Sequence, residues 1–239
     1  MNDLIIPDSR FEMPSLFYPK RKPVGNVKID WSHPLAKGLV GACLGRVNLV
    51  TGELYELKGY NLPTFERNNI NLNSYGSLNE IRTTPISGSQ NRTFFGAIHH
   101  ASSNKGFLFN IGDGSAGVAN ARWSIRVDAS IGLRIEMQGS GYTSSLVANA
   151  GKHHIACRLS GTQLQDNDLY VDGVFESAIG TNTVNTSSSY VVSYGNRAYD
   201  GTQDDSVDSL EVGLIYNRDL SDKEIRLLDA NPYQFLIPA

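Results

Sequence analysis

Hydrophobic and polar positions alternate residue by residue over much of the chain beyond Asp30. In RWSIRVD, Trp123, Ile125 and Val127 fall on one side of an extended backbone, and Arg122, Ser124, Arg126 and Asp128 on the other. LRIEMQ repeats the pattern, with Leu133, Ile135 and Met137 opposed to Arg134, Glu136 and Gln138. Only ASIG separates the two segments, so they are expected to pair as a hairpin with one face buried and one face wet. DLYVDGVFES reads as a second hairpin that turns at Asp172-Gly173, two residues that accept positive φ. Further strands are expected in RTFFGAIHHA, GFLFNIGD, HHIACRLSG, SYVVSYG and DSLEVGLIYN. Regular spacing with turn residues between the segments predicts an all-β, antiparallel sandwich rather than alternating strands and helices.

The period changes near the C-terminus. LSDKEIRLLDANPYQF predicts one short helix: Ser221 and Glu224 form a capping box, Leu220 and Ile225 a hydrophobic staple, and Pro232 stops the helix. The N-terminus has neither period. Pro7, Pro14, Pro19 and Pro23 punctuate residues 1–30, which predicts an extended arm ahead of a sandwich domain over 31–239. An arm this apolar is expected to lie on its own domain or on a neighbouring subunit, through Leu4, Ile5, Ile6, Phe11, Met13, Leu16, Phe17 and Tyr18. Trp31, His33 and Pro34 read as the corner where arm meets sandwich.

Charge adds mainly exclusions. The 239 residues carry Lys+Arg 21 against Asp+Glu 24, a net of −3, which gives no general attraction to nucleic acid or to an anionic membrane. The opening residues do not read as a secretory signal, and no apolar run approaches a membrane span, so the product is expected to stay in the cytoplasm that makes it. The two cysteines, Cys43 and Cys157, allow at most one bridge. As a strand, 153–160 puts His153, Ile155, Cys157 and Leu159 on one face and His154, Ala156 and Arg158 on the other. The adjacent histidines therefore diverge, and Cys157 reads as an inert buried thiol.

HHIACRLSG followed by DLYVDG resembles the central signature of laminin-G-like domains in the concanavalin A-like lectin/glucanase superfamily. YNRDLSDKEI resembles that family's closing run, and the resemblance extends over roughly residues 36–230. It implies an antiparallel two-sheet jelly-roll sandwich with an N-terminal arm and one short C-terminal helix. The flanks IDWSHPLAKGLVGACLGR and LDANPYQFL are similar to those of laminin-G-like proteins encoded by tailed bacteriophages and prophages. This narrower resemblance implies a virion structural protein, a capsid decoration or accessory protein made in the host bacterial cytoplasm and not secreted. Its partners would be major capsid or tail proteins, bound through the arm in a homo-oligomeric, symmetric assembly. The alternative is a carbohydrate-binding module for attachment to a host surface glycan.

That fold bears on three chemistries. Glycoside hydrolysis on it needs two carboxylates on one strand face, one as acid and one as nucleophile. Asp208 and Glu211 are three apart, hence on opposite sides of a strand, and LRIEMQ offers only Glu136, so no enzymatic activity is expected. The resemblance implies a Ca²⁺ site at the sandwich rim, for which Asp113, Asp200, Asp204, Asp205 and Asp208 are the candidate oxygen ligands. It also implies sugar recognition through an exposed aromatic ring, for which Tyr142, Tyr190, Tyr194 and Tyr199 are the candidates.

Overall fold

The computed structural model describes residues 27–44, 47–50, 56–58, 64–65, 70–71, 77–80, 86–100, 105–112, 119–128, 132–146, 148, 150–187, 192–194 and 209–239. Among them the strands begin with β1 (Val27–Ile29), β2 (Leu39–Leu44), β3 (Val47–Asn48), β4 (Glu56–Lys58), β5 (Thr64–Phe65) and β6 (Ile70–Asn71). They continue with β7 (Ser77–Glu80), β8 (Arg92–His100), β9 (Lys105–Gly112), β10 (Arg122–Asp128), β11 (Gly132–Met137) and β12 (Ser140–Thr143). The last are β13 (Gly151–Leu159), β14 (Asn167–Val171), β15 (Val174–Ser177), β16 (Val192–Tyr194), β17 (Ser209–Tyr216) and β18 (Leu236–Pro238), with helix α1 (Asp222–Ala230) before β18.

The protein is an antiparallel two-sheet jelly-roll sandwich. Among the described residues one sheet has seven strands in the order β12-β11-β10-β9-β16-β7-β4. The other has nine, in the order β15-β14-β13-β8-β17-β2-β3, with β6 joining β17 and β5 joining β6. The main core lies between them. Trp123, Ile125, Leu133, Ile135 and Met137 from the seven-stranded sheet meet Phe94, Ile98, Ile155, Cys157, Leu159 and Ile215 from the other. The Phe94 and Phe109 rings stack across the gap at 4.4 Å between centroids. Gly213 makes room for Tyr194, because a Cβ there would stand 2.6 Å from the tyrosine ring.

The nine-stranded sheet is buried on both faces. Its outer side carries Phe95, Ala97, Ala156, Tyr170, Val212, Leu214 and Tyr216, packed with Leu35, Ile225, Leu228, Phe235 and Leu236. A sheet covered on both sides needs apolar residues at successive positions, which accounts for the near-continuous runs of β8 and β17. The covering layer contains α1 and the β1–β18 pair, in which Lys28 lies opposite Ile237.

Local sequence explains how α1 docks. Ser221 Oγ accepts from Glu224 N at 3.3 Å and Glu224 Oε2 accepts from Ser221 N at 2.9 Å, the expected capping box. Leu220 and Ile225 are buried together as the staple. Arg158 ties the helix start to the sheet, with Nη1 at 2.7 Å from Asp222 Oδ1 and Nε at 3.0 Å from Asp168 Oδ2. The β14–β15 hairpin turns at Asp172 (φ 49) and Gly173 (φ 79), as its sequence predicts. Of the expected arm, residues 1–26 lie outside the described residues, including Leu4, Ile5, Ile6, Phe11, Met13, Leu16, Phe17 and Tyr18. Its last residues, 27–29, form β1 against β18.

Candidate functional site

The outer face of the seven-stranded sheet is polar, and the strand register shows why. Asn110, Ser124, Glu136 and Gly141 stand opposite one another across β9, β10, β11 and β12, and the same row continues through Ser193 of β16 to Asn79 of β7. Two residues along β10 in either direction lie Arg122 and Arg126, and Arg126 is paired with Arg134, which is paired with Thr143. Among the described side chains, the hairpin's polar half therefore gathers three arginines around one glutamate.

Side-chain contacts make this a connected cluster. An Arg122 Nη2 proton is donated to Glu136 Oε1, and Arg126 Nη1 lies 3.6 Å from Glu136 Oε2. Ser124 Oγ donates to Asn110 Oδ1 at 2.6 Å, and Arg134 Nη1 donates to Thr143 Oγ1 at 2.8 Å. Phe107 forms the floor. The register slips between Ile125 and Arg126, so Arg126 faces Phe107 while Ile125 faces Phe109, and the bulge at Leu108 puts an aromatic ring on the polar side. Arg122 and Arg126 cover that ring, with guanidinium carbons 5.7 and 5.8 Å from its centroid.

This cluster departs from the sequence expectation of a wet face. Arg122 is 3% exposed and Ser124 and Asn110 are fully buried. Buried polar atoms normally find partners. Nevertheless, Arg122 Nε and Nη1 are buried without a hydrogen-bond acceptor among the described residues.

The candidates drawn from sequence fall elsewhere. Tyr194 is wholly buried in the main core, against Phe94 and Phe109, and cannot stack on a sugar. Tyr142 is half-buried against the same core. Its hydroxyl donates to Glu176, and this bond, more than burial, pushes the phenol up to about 12. Tyr190, Tyr199, Asp113, Asp200, Asp204, Asp205 and Asp208 lie outside the described residues. Among the described residues no group of three His, Cys, Asp or Glu is arranged to hold a metal ion. In the sequence Arg122, Arg126 and Arg134 read only as a solvent face, and Glu136 as that and as a lone carboxylate without a hydrolytic partner. The available signal was three arginines on one face of one hairpin in an acidic chain.

The adjacent histidines diverge as expected. His153 Nδ1 lies 2.7 Å from Asp172 Oδ2, whereas His154 Nδ1 lies 3.0 Å from Asp229 Oδ1 on α1. They border a cavity of about 260 Å³ at the end of the nine-stranded sheet, together with Ala97, Ile98, Lys152, Asp172 and Glu211. Lys152 Nζ is 2.5 Å from Glu211 Oε1. Glu211 and Glu136 stand on different sheets, on outer faces separated by the core. They cannot share a glycosidic bond, since a hydrolytic pair stands about 5–9.5 Å apart. Cys157 is buried, and desolvation, reinforced by Asp168, pushes its thiol well above the usual range, as an inert cysteine requires.

No family model matches the sequence, and no curated protein sequence matches it. In structure the chain is similar to the Trypanosoma rangeli sialidase in complex with sialic acid, with a TM-score of 0.58 and 18% identity, covering 82% of this chain and 33% of that one. It is also similar to domain 4 of AbnA, a GH43 extracellular arabinanase from Geobacillus stearothermophilus, in complex with arabinotriose. There the TM-score is 0.61 at 13% identity, covering 80% of this chain and 98% of that one. The chain thus spans about a third of the sialidase and nearly all of the arabinanase domain. At these identities the likeness shows a shared β-sandwich fold. It also corrects two expectations. The reading as a virion structural protein gives way, because these neighbours are a sialidase and an arabinanase domain, and the narrower bacteriophage resemblance loses its force with it. The exclusion of enzymatic activity falls on the same finding, since the fold is shared with enzymes.

Proposed function

We propose that the chain binds carbohydrate on the outer face of its seven-stranded sheet, around Arg122, Arg126, Arg134 and Glu136. The observation that carries this reading is the buried Arg122 guanidinium, two of whose nitrogens have no acceptor among the described residues. A ligand oxygen supplies such an acceptor at low cost, because the arginine is already ordered. Its neighbours suit sugar hydroxyls. Glu136 accepts, Arg126 and Arg134 donate, and Ser124 and Asn110 support the cluster from below. All are fixed by strand register rather than by loops, and a rigid sheet holds a polar constellation with little entropy left to lose on binding. The fold likeness supports the ligand class: the arabinanase domain that this chain spans almost end to end is in complex with arabinotriose. We read the sandwich more narrowly as laminin-G-like, supported by the YVDG turn and the YNRDLSDKEI segment.

A second location on the molecule is favoured by one observation, the cavity of about 260 Å³ beside Lys152, His153, His154 and Glu211. Titration calorimetry with a panel of oligosaccharides separates the two. Arg122→Ala is expected to weaken binding about tenfold or more, the loss of one good charged contact, while Lys152→Ala leaves it unchanged. Reading the same mixtures for released sugar reports any turnover. Binding that ignores Arg122→Ala and falls with Lys152→Ala moves the site to the cavity, and a silent panel removes the proposal.

A further inference from the structure

We infer that the chain forms a two-fold symmetric dimer in which β15 of one copy pairs with β15 of the other. Among the described residues β15 is the last strand of the nine-stranded sheet and pairs only with β14. This stretch carries three of the five exposed large hydrophobic side chains found among those residues: Val174 at 61%, Phe175 at 51% and Ile179 at 72%. The hairpin fixes which backbone groups face outward. Val171 and Val174 flank a two-residue turn and so bond to each other, as do Leu169 and Glu176 one step further. Ala178 N donates to Asn167 O at 2.8 Å and Gln165 N to Gly180 O at 2.9 Å, which continues the alternation. The N–H and C=O groups of Phe175, Ser177 and Ile179 therefore point away from β14. Proteins ordinarily guard such an edge with lysine, proline or a bulge. Residues 174–180, VFESAIG, contain neither lysine nor proline, and the β14–β15 pairing runs without a slip.

The occupant is a second copy because this edge is complementary to itself. Phe175, Ser177 and Ile179 alternate onto one face, as large, small and large. A two-fold contact requires residue i to meet j and j to meet i. An axis centred on Ser177 satisfies this. Phe175 of each copy then stands opposite Ile179 of the other, Ser177 opposite Ser177, and Glu176 opposite Ala178. The apolar side chains left exposed in the single chain thus become cross-strand pairs. Charge agrees, because this register never sets Glu176 against itself, as one centred on Glu176 would. The hairpin's three carboxylates are each engaged within their own copy. Glu176 accepts from Tyr142 and, at 3.0 Å, from Ser145 N; Arg158 Nε lies 3.0 Å from Asp168, and His153 Nδ1 lies 2.7 Å from Asp172. An antiparallel seam sets the axis perpendicular to the sheet, so both seven-stranded sheets lie on one side of the dimer. Given the proposed carbohydrate face, the dimer presents two such faces in one direction, which suits a repeated glycan. The pairing itself does not depend on that reading.

The test uses the full chain. Sedimentation velocity is expected to show a dimer at about 50 μM, and the double variant Phe175→Lys, Ile179→Lys to raise its dissociation constant about a hundredfold or more. Ser177→Cys reads the register. Directly opposed residues of a hydrogen-bonded pair stand about 5.5 Å apart at Cα, within reach of a disulfide. Mild oxidation is therefore expected to link Ser177→Cys into a covalent dimer, while Cys43 and Cys157, both buried, stay silent. Val174→Cys, about 20 Å from its own counterpart in this register, stays unlinked and measures random collision. The cross-link decides the question alone if the lysine variant does not fold. A monomer at every concentration overturns the proposal. So does a dimer that keeps its mass in the lysine variant, or one that links Val174→Cys as readily as Ser177→Cys, since the contact then lies elsewhere on the chain.

Discussion

Cys157, Tyr194 and Arg122 each owe their character to what surrounds them. The thiol sits on the inner side of β13 between Ile155 and Leu159, in a core that leaves it no water. Its raised pKa and complete burial predict that a disulfide reagent at pH 8 labels neither Cys157 nor the equally buried Cys43 in the native protein and labels both after unfolding. Rapid native labelling of Cys157 would show the core to be open. Tyr194 and Arg122 went against their residue types. A tyrosine at a strand end is often half-wet, but Gly213 on the opposing sheet withdraws its side chain and lets the ring in. An arginine on an alternating strand is ordinarily solvated, but Phe107 beneath and Glu136 beside it hold Arg122 down. Neither effect is written near the residue it acts on.

At the scale of elements, the sequence is most informative where pairing is local. The β10–β11 and β14–β15 hairpins and α1 all follow from adjacent residues, through alternation, a two-residue turn and a capping box. The cap carries a pH signature. The Arg218 hydrogen bonds, with those of Ser221, hold the Glu224 carboxyl down at about 2. A carboxylate depressed in the folded state stabilises it above the unfolded pKa, near 4.5, and that contribution drains away as pH falls toward 2. Glu224→Gln is therefore expected to melt below wild type at pH 7, with the difference closing between about pH 4.5 and about pH 2 in thermal scans. A difference that stays constant across that range would assign the cap's effect to packing. The bulge in β9 was not legible. Strict alternation in GFLFNIGD puts Phe107 with Phe109, and one extra residue sends them to opposite faces. With that slip the hairpin's polar face acquired an aromatic floor, and so a site.

At the scale of the whole molecule, the two sheets have divided the work. The nine-stranded sheet is covered by α1 and the terminal strands, and its apolar runs show in the sequence as nearly unbroken hydrophobic segments. The seven-stranded sheet keeps an apolar inner face and a polar outer one, which is why its alternation is so regular. The two-layer fold was thus readable from periodicity alone. The functional reading was not, because it leaned on short flanking segments. Such segments describe how a sandwich closes, and they say nothing of what its faces hold. The polar cluster arises from register across β9, β10, β11 and β12, and the β9–β10 alignment is a long-range property that a hairpin's own sequence does not contain.

The most direct test of the central claim is a map of backbone amide shifts in the labelled full chain, titrated with whichever oligosaccharide binds in the calorimetric panel. The account predicts that the perturbed amides cluster in 105–112, 122–128 and 132–143, the strands that carry Arg122, Arg126, Arg134 and Glu136. Perturbations confined instead to Lys152, His153, His154, Asp172 and Glu211, with the arginine face silent, would contradict it.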